Sequence, residues 1–354
     1  MGGANVIQLL SYAAIMASSI IVPLMAQSFG ASAGWVGLIV GAYNAFYFLS
    51  TYLFGLLADK YGGKQVLRLG LFVSALCFAL QIFAHDLFSL LLVRSLTGAA
   101  VGIFPAALAV YAYSEQGGKM GKFTGAGSLG WAVGGVLAGL IASNQAIFAM
   151  SSIFFGSAFC LALQMRSGFQ PPGKVRLLPL GTLRRNARIY VPYFFRALGA
   201  QAIWSIFPLY LVLAGADMRL VGAAYFVNAF SQFFIMRYVE RFKNLYLVNI
   251  GLLCSILTFI GYALFPQIWV ILGLQLLLAY SFSTLQVGTQ QELLSKNMER
   301  ATAISLLNAI TNITAVIGPF LAGGVAELWG YAGVMWLGAA ITFIGLISFT
   351  TVLE

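Results

Sequence analysis

GLLADKYGGKQV, residues 55–66, places one carboxylate, two lysines and three glycines between two long apolar runs. The runs on either side, roughly 33–57 and 66–84, are each close to the 20 or so apolar residues that a helix needs to cross a bilayer. A polar stretch this short between two such runs reads as a tight turn at a membrane surface. Gly62 and Gly63 permit the reversal, while Lys60 and Lys64 stay in the headgroup layer.

The rest of the chain has the same character. Of its 354 residues 61% are hydrophobic and 8% charged, with a mean hydropathy of +0.92, too little polar surface to cover a soluble globule. A net charge of +10 invites a nucleic-acid reading, but that requires basic residues clustered on a solvated domain, and there is none. Cys77, Cys160 and Cys254 all fall within apolar runs and read as small buried hydrophobes, not as a disulfide framework or a metal site. The N-terminal run has no basic n-region and is too long for a signal-peptide core, so it is the first spanning helix.

Applied throughout, the length rule predicts an all-α membrane protein with twelve transmembrane helices, at 5–27, 33–57, 66–84, 88–112, 123–144, 146–165, 190–214, 219–236, 246–265, 268–288, 303–325 and 332–352. Uninterrupted apolar runs without alternation exclude a β-barrel. The one long connection, 166–189, is the expected cytoplasmic linker between an N-terminal six-helix bundle, 1–165, and a C-terminal one, 190–354. Of the 19 basic residues, all but Arg94, Arg196 and Arg219 sit in the even-numbered connections or at their edges. The positive-inside rule then puts those connections and both termini in the cytoplasm.

The two halves are related. ADKYGGKQVLRLG, from Ala58, aligns with VERFKNLYLVNIG, from Val239, at an offset of 181, setting Asp59 on Glu240, Lys60 on Arg241 and Gly70 on Gly251. The same offset carries Arg94 onto Gln275, and NAF at Asn44 recurs at Asn228 with an offset of 184. Two pseudo-symmetric bundles of this kind are a common transporter plan, with the solute site near the midplane.

With these residues on the page, the stretch from Gly55 to Lys64 resembles the cytoplasmic signature between the second and third helices of the major facilitator superfamily. LLLVRSLTGAA, through Arg94 and Gly98, is similar to its fourth-helix signature. GSLGWAVGGVLAG, Gly127 to Gly139, resembles the glycine-rich fifth-helix signature of its exporters, echoed by IGPFLAGG at Ile317. The resemblance implies alternating access and a cavity lined by spans 1, 4, 7 and 10. Gly63 departs from the family pattern, which has a base there, and the second copy carries Met236 and Lys243 in place of the glycines.

The signature also has a physical reading of its own. Gly55 allows a neighbouring helix close to the end of the second span. Asp59 is placed to accept hydrogen bonds from the positive N-terminal end of a helix in the other half, the eleventh being expected. Gly55, Asp59, Lys60, Gly62, Lys64, Glu240 and Arg241 are therefore the candidate gating residues.

Polar side chains within the spans are costly and so point to function. Arg94 in the fourth span and Arg196 in the seventh head the candidate substrate contacts, followed by Gln201, Trp204, Gln275, Ser283 and Gln286. Snorkelling to the cytoplasm is the competing use of Arg196, and helix-to-helix hydrogen bonding that of the stripe on span ten. None of the nine carboxylates lies mid-membrane, so proton coupling is not visible and a coupling ion is left open. The sole histidine, His85, has no partners for a metal or a catalytic role, and no nucleophile–base pattern supports an enzyme. The expected protein is a monomeric plasma-membrane transporter, without cofactor or nucleic-acid partner, whose partners are a small-molecule substrate and the lipid bilayer. The exporter-like glycines favour efflux of a partly apolar compound. Buried arginines without buried acids favour the alternative, an organic-anion uniporter or exchanger.

Overall fold

The computed structural model describes residues 2–61, 63–115, 121–141, 143–165, 180–239, 241–242, 244–297 and 300–351, and they are helical almost throughout. The first half runs α1 (Gly3–Ser28), α2 (Ala33–Tyr61), α3 (Gly63–Leu80), a short 3-10 turn (Gln81–Phe83), α4 (Leu87–Gly102), α5 (Pro105–Glu115), α6 (Gly121–Ile141) and α7 (Asn144–Gln164). The second runs α8 (Leu180–Arg185), α9 (Ala187–Leu213), α10 (Met218–Val239), α11 (Asn244–Leu264), α12 (Ile268–Lys296) and α13 (Arg300–Thr351). Helices α4 and α5 together make the fourth span, α8 is too short to cross, and α13 is two spans, which gives the twelve of the expected architecture.

Several boundaries differ from expectation for identifiable reasons. The fourth span breaks at Ile103 and Phe104 because Pro105 has no N–H to continue the ladder and instead opens α5. The last two spans, expected as separate helices, are joined at Gly330, whose φ of 68° turns the chain within one residue. Span ten continues to Lys296 rather than ending near 288, so Glu292 lies on the helix and pairs with Lys296 at 2.5 Å. The linker is not wholly irregular either, since α8 and the start of α9 occupy residues 180–185 and 187–189.

Within Gly55–Val66 the helices run further than the sequence suggests. Helix α2 carries on through Asp59 and Lys60 to Tyr61, and α3 starts at Gly63. A methyl group on Gly55 would sit 3.9 Å from the Ala106 side chain, an ordinary contact, so among the described residues the close approach expected there is absent.

The chain divides into two compact units: Met1–Ala31, Leu38–Val175 and Asp217–Phe226 form one, and Ser32–Gly37, Arg176–Ala216 and Val227–Glu354 the other. In the first, Phe78, Phe104 and Phe155 make an aromatic centre, with ring centroids 5.0 and 5.8 Å apart. In the second, Leu252, Leu285 and Phe349 lie at the core, and Asn186 and Asn297 exchange reciprocal amide hydrogen bonds of 2.9 and 3.0 Å where α9 meets the end of α12.

The internal repeat reappears as packing. A methyl on Gly70 would fall 2.8 Å from Phe104, and one on Gly251 would fall 2.7 Å from Leu285, so both members of that contact pair are 181 residues apart. Glycines 134 and 318, separated by 184, lie against α1 and α9 respectively, and glycines 139 and 323, at the same offset, lie against the starts of α10 and α2. Side-chain-free positions let helix backbones meet within a bilayer, where tight packing supplies much of the association.

Candidate functional site

Arg94 is 2% exposed and lies on α4 within the first unit. Its Nη1 donates to Ser18 Oγ on α1 at 2.7 Å and to Gln81 Oε1 at 3.3 Å. The guanidinium carbon stands 4.1 Å from the centroid of the Tyr43 ring on α2. That distance is set by glycine. Gly98 and Gly102 follow Arg94 at four-residue intervals, so all three share one face of α4, and methyls on the glycines would lie 2.2 Å from Tyr43 O and 2.5 Å from Tyr47 O. The fourth-helix signature is thus a packing device that brings α2 close enough to lay a ring over the cation.

Among the described residues the Arg94 charge has no counter-ion. Among the described residues the one ion pair is Glu292 with Lys296. Removing a cation from water costs several kcal/mol even after relaxation. A desolvated cation–π contact returns about 2 kcal/mol, and hydrogen bonds from a charged donor about 1.5–3 kcal/mol each. These hold the guanidinium in place without neutralising it, and its Nε has no partner. The group is chemically ready for an anion or a strong acceptor.

In the second unit Arg196, 5% exposed, donates from Nε to Ser255 Oγ on α11 at 3.0 Å, and its guanidinium lies 5.5 Å from the Phe282 ring. Ser255 in turn pairs with Ser281 on α12. Arg196 is therefore engaged within its unit, with no reach to the surface as the snorkelling alternative required.

The polar stripe of span ten splits into two kinds of residue. Gln286 is half-buried and accepts from Tyr193 Oη at 2.8 Å, with Thr311 3.4 Å from the same hydroxyl, a helix-to-helix link among α12, α9 and α13. Gln275 and Ser283 are fully buried, and neither the amide of the first nor the hydroxyl of the second has a partner. Asn228 on α10 reaches only the backbone carbonyl of Gln275, at 3.4 Å, and Gln232 donates to Asn228 at 2.6 Å. Unmet groups of this kind are uncommon inside a folded unit, which keeps Gln275 and Ser283 among the candidate contacts. Gln201 and Trp204 are half-buried on α9, the indole lying edge-on to Phe207 at 5.1 Å, and Gly318 packs against the backbone of Gln201.

Of the candidate gating residues, Gly62 and Glu240 lie outside the described residues, as do the side chains of Asp59 and Lys60. Lys64 is half-buried in the first turn of α3, and Arg241 is exposed beside the Tyr238 ring at 5.9 Å. Sequence reading missed Gln81 and Tyr43 as partners of Arg94. A glutamine inside the apolar third run was the one signal that pointed to the first of them.

At the opposite end of α2, Glu327 of α13 accepts from Ser32 Oγ at 2.5 Å and from the Gly34 N–H at 3.0 Å, both within the second unit. A carboxylate there satisfies an otherwise unpaired amide of the helix N-terminus and meets its positive dipole end.

A family model described as Major Facilitator Superfamily matches residues 4–298 and 193–353. Multidrug resistance protein MdtG of Proteus mirabilis (strain HI4320) is 25% identical over 341 residues, which cover 88% of this chain and 84% of the relative. Among solved structures, the nucleoside transporter NupG matches with a TM-score of 0.80 at 13% identity, covering 99% of this chain and 98% of that one. The human organic anion transporter MFSD10 (TETRAN) matches with a TM-score of 0.71 at 16% identity, covering 98% of both. At these identities the structural likenesses bear on the fold alone.

Proposed function

The chain belongs to the major facilitator superfamily, a family of secondary transporters, and on that premise we propose that it exports a small, partly apolar organic compound by alternating access. The observation that carries this reading is the similarity to a multidrug resistance protein along 88% of the chain, which includes the glycine-rich α6. Arg94, Arg196, Gln201, Trp204, Gln275, Ser283 and Gln286 are the proposed substrate contacts. The stretch from Gly55 to Lys64, with Glu240 and Arg241 in the second half, is the proposed cytoplasmic gate. In the same reading the protein works as a monomer in a plasma membrane with both termini cytoplasmic.

A second reading, transport of an organic anion by uniport or exchange, is favoured by one specific observation: among the described residues Arg94 is buried without a counter-ion and with Nε unpaired. Proteoliposomes loaded with rhodamine 6G or with fluorescein separate the two. Movement of the cationic dye that survives Arg94→Lys supports the first. Movement of the carboxylate dye alone, lost in Arg94→Lys because an ammonium lacks the planar bidentate fork, supports the second. If neither dye moves under an imposed ion gradient in either direction, export of apolar compounds is refuted.

A further inference from the structure

A cavity of about 240 Å³ lies in the first unit, where the end of α1, the Gln81–Phe83 turn and the start of α7 meet. At roughly 30 Å³ per water it has room for about eight waters, the scale of a small organic fragment. Met25, Phe29 and Phe148 supply an apolar wall, and His85, Asn144 and Gln145 a polar rim. Gln81 lines it as well and joins it to Arg94.

Gln81 carries the unmet chemistry. It is fully buried, and its Oε1 accepts from Arg94. A guanidinium can only donate, so this bond fixes which end of the amide faces Arg94 and leaves Nε2 with its two hydrogens on the other side. That nitrogen has no partner. A buried donor beside a cavity calls for an acceptor, and three features select a negative one. Asn144 and Gln145 form the first residues of the 21-residue α7, whose free amides and dipole present positive potential there. Arg94 places an unneutralised charge directly behind the Gln81 amide. Among the described residues no carboxylate lines the space, and neighbouring Asp86 is occupied capping α4, its Oδ1 accepting from the Ser89 N–H at 2.8 Å.

We propose that this cavity is a binding site for small organic carboxylates, separate from the proposed substrate contacts, with Gln81 Nε2 and the start of α7 receiving the carboxylate and the apolar wall its hydrocarbon part. Occupancy polarises the Gln81 amide and strengthens its bond to Arg94, so the site reports its state to the buried cation. It lies at the end of the unit remote from the basic loops.

Titration calorimetry of the purified full chain with sodium benzoate, and with benzamide as the uncharged isostere, tests this. Gln145 is exposed on the rim of the cavity and is not one of the hydrogen-bond partners of Arg94, so Gln145→Trp is the variant chosen to block the mouth. The expected result is benzoate binding that is about tenfold weaker for benzamide, about tenfold weaker in Gln81→Leu, and absent in Gln145→Trp. Unliganded melting curves establish that the variants fold, and if Gln81→Leu does not, Gln145→Trp decides alone. Benzoate binding that is undetectable in the unmodified protein, or unchanged in Gln145→Trp, overturns the site. Binding kept in Gln145→Trp but lost in Arg94→Met puts the anion at Arg94 instead, which sinks this proposal and leaves the organic-anion reading standing.

Discussion

Gly98→Ala is the most direct test of how the Arg94 site is built. The added Cβ would stand 2.2 Å from the Tyr43 carbonyl oxygen, whereas ordinary contact begins at 3.4 Å, so α2 must retreat by about 1.2 Å. A helix carbonyl cannot rotate out of the way as a side chain can. The upper end of the usual overpacking cost, about 3 kcal/mol, therefore applies, less about 1 kcal/mol regained because alanine favours helix over glycine. The net loss is about 2 kcal/mol. Gly156→Ala, on α7, is the matched control, since nothing lies within 4 Å of its added methyl and only the propensity gain of about 1 kcal/mol remains. The variants should thus differ by about 3 kcal/mol, or about 6 °C in melting temperature at about 2 °C per kcal/mol for a chain of this size. Thermal unfolding in detergent, read by the reactivity of the native cysteines, measures it. The retreat of α2 also draws Tyr43 off the guanidinium, so Gly98→Ala should weaken ligand binding at Arg94 while Gly156→Ala does not. A melting temperature for Gly98→Ala equal to or above that of Gly156→Ala would refute the packing argument.

Other substitutions probe separate features. On the organic-anion reading, Arg94→Met should abolish movement of the carboxylate dye yet leave the melting temperature within a few degrees of the parent, because losing two hydrogen bonds and a ring contact is offset by no longer burying a charge; a large fall in stability would show the arginine to be structural. Glu327→Ala should speed hydrogen exchange of the amides from Gly34 to Val36, measured by mass spectrometry, with Glu327→Gln intermediate because its carbonyl still accepts; unchanged exchange would mean the carboxylate does not hold the start of α2. Asp86 accepts from the Ser89 backbone, which holds its carboxyl below the usual carboxylate range. Its contribution is therefore complete above the unfolded value of about 3.9 and is lost as pH falls through the lower folded value. The difference in melting temperature between the parent and Asp86→Ala should be flat from pH 8 to about 5 and should shrink only below about 4.

The twelve-span architecture was legible because hydrocarbon imposes one rule, backbone satisfaction within the segment, and apolar length reports it directly. Helix ends were less legible. The membrane sets how much apolar chain is needed but does not stop a helix from continuing into water, as α2 does through Asp59 and α12 through Glu292. Arg94 stood out because a cation in an apolar run is rare, whereas Tyr43 did not, because tyrosine is common in such runs and its role depends on a backbone approach that Gly98 permits from another helix. Gln275 and Gln286 looked alike in sequence, on one face of one helix. Their different states, one unpartnered and one bonded to Tyr193, depend on what α9 and α10 bring against them.

The repeat separates scaffold from chemistry. Where the halves agree, at glycines 70 and 251, 134 and 318, and 139 and 323, the shared property is the room for another helix, and the contacts recur at the same offsets. Where they differ, they differ in polar function: at the offset of 181, Arg94 stands opposite Gln275, and Gln81, its acceptor, opposite Tyr262. At these equivalent positions the first unit has a cation with an amide to receive its hydrogen bond and the second an unpartnered amide, while the second unit's own buried cation, Arg196, lies elsewhere, on α9. The substrate contacts proposed on the two units are therefore unlike in chemistry, and exchanging the two positions tests Arg94 among them: Arg94→Gln with Gln275→Arg keeps the total charge while moving one cation from α4 to α12, so a solute that still binds in the double variant needs the charge alone, and one that is lost needs the cation beside Ser18, Gln81 and Tyr43.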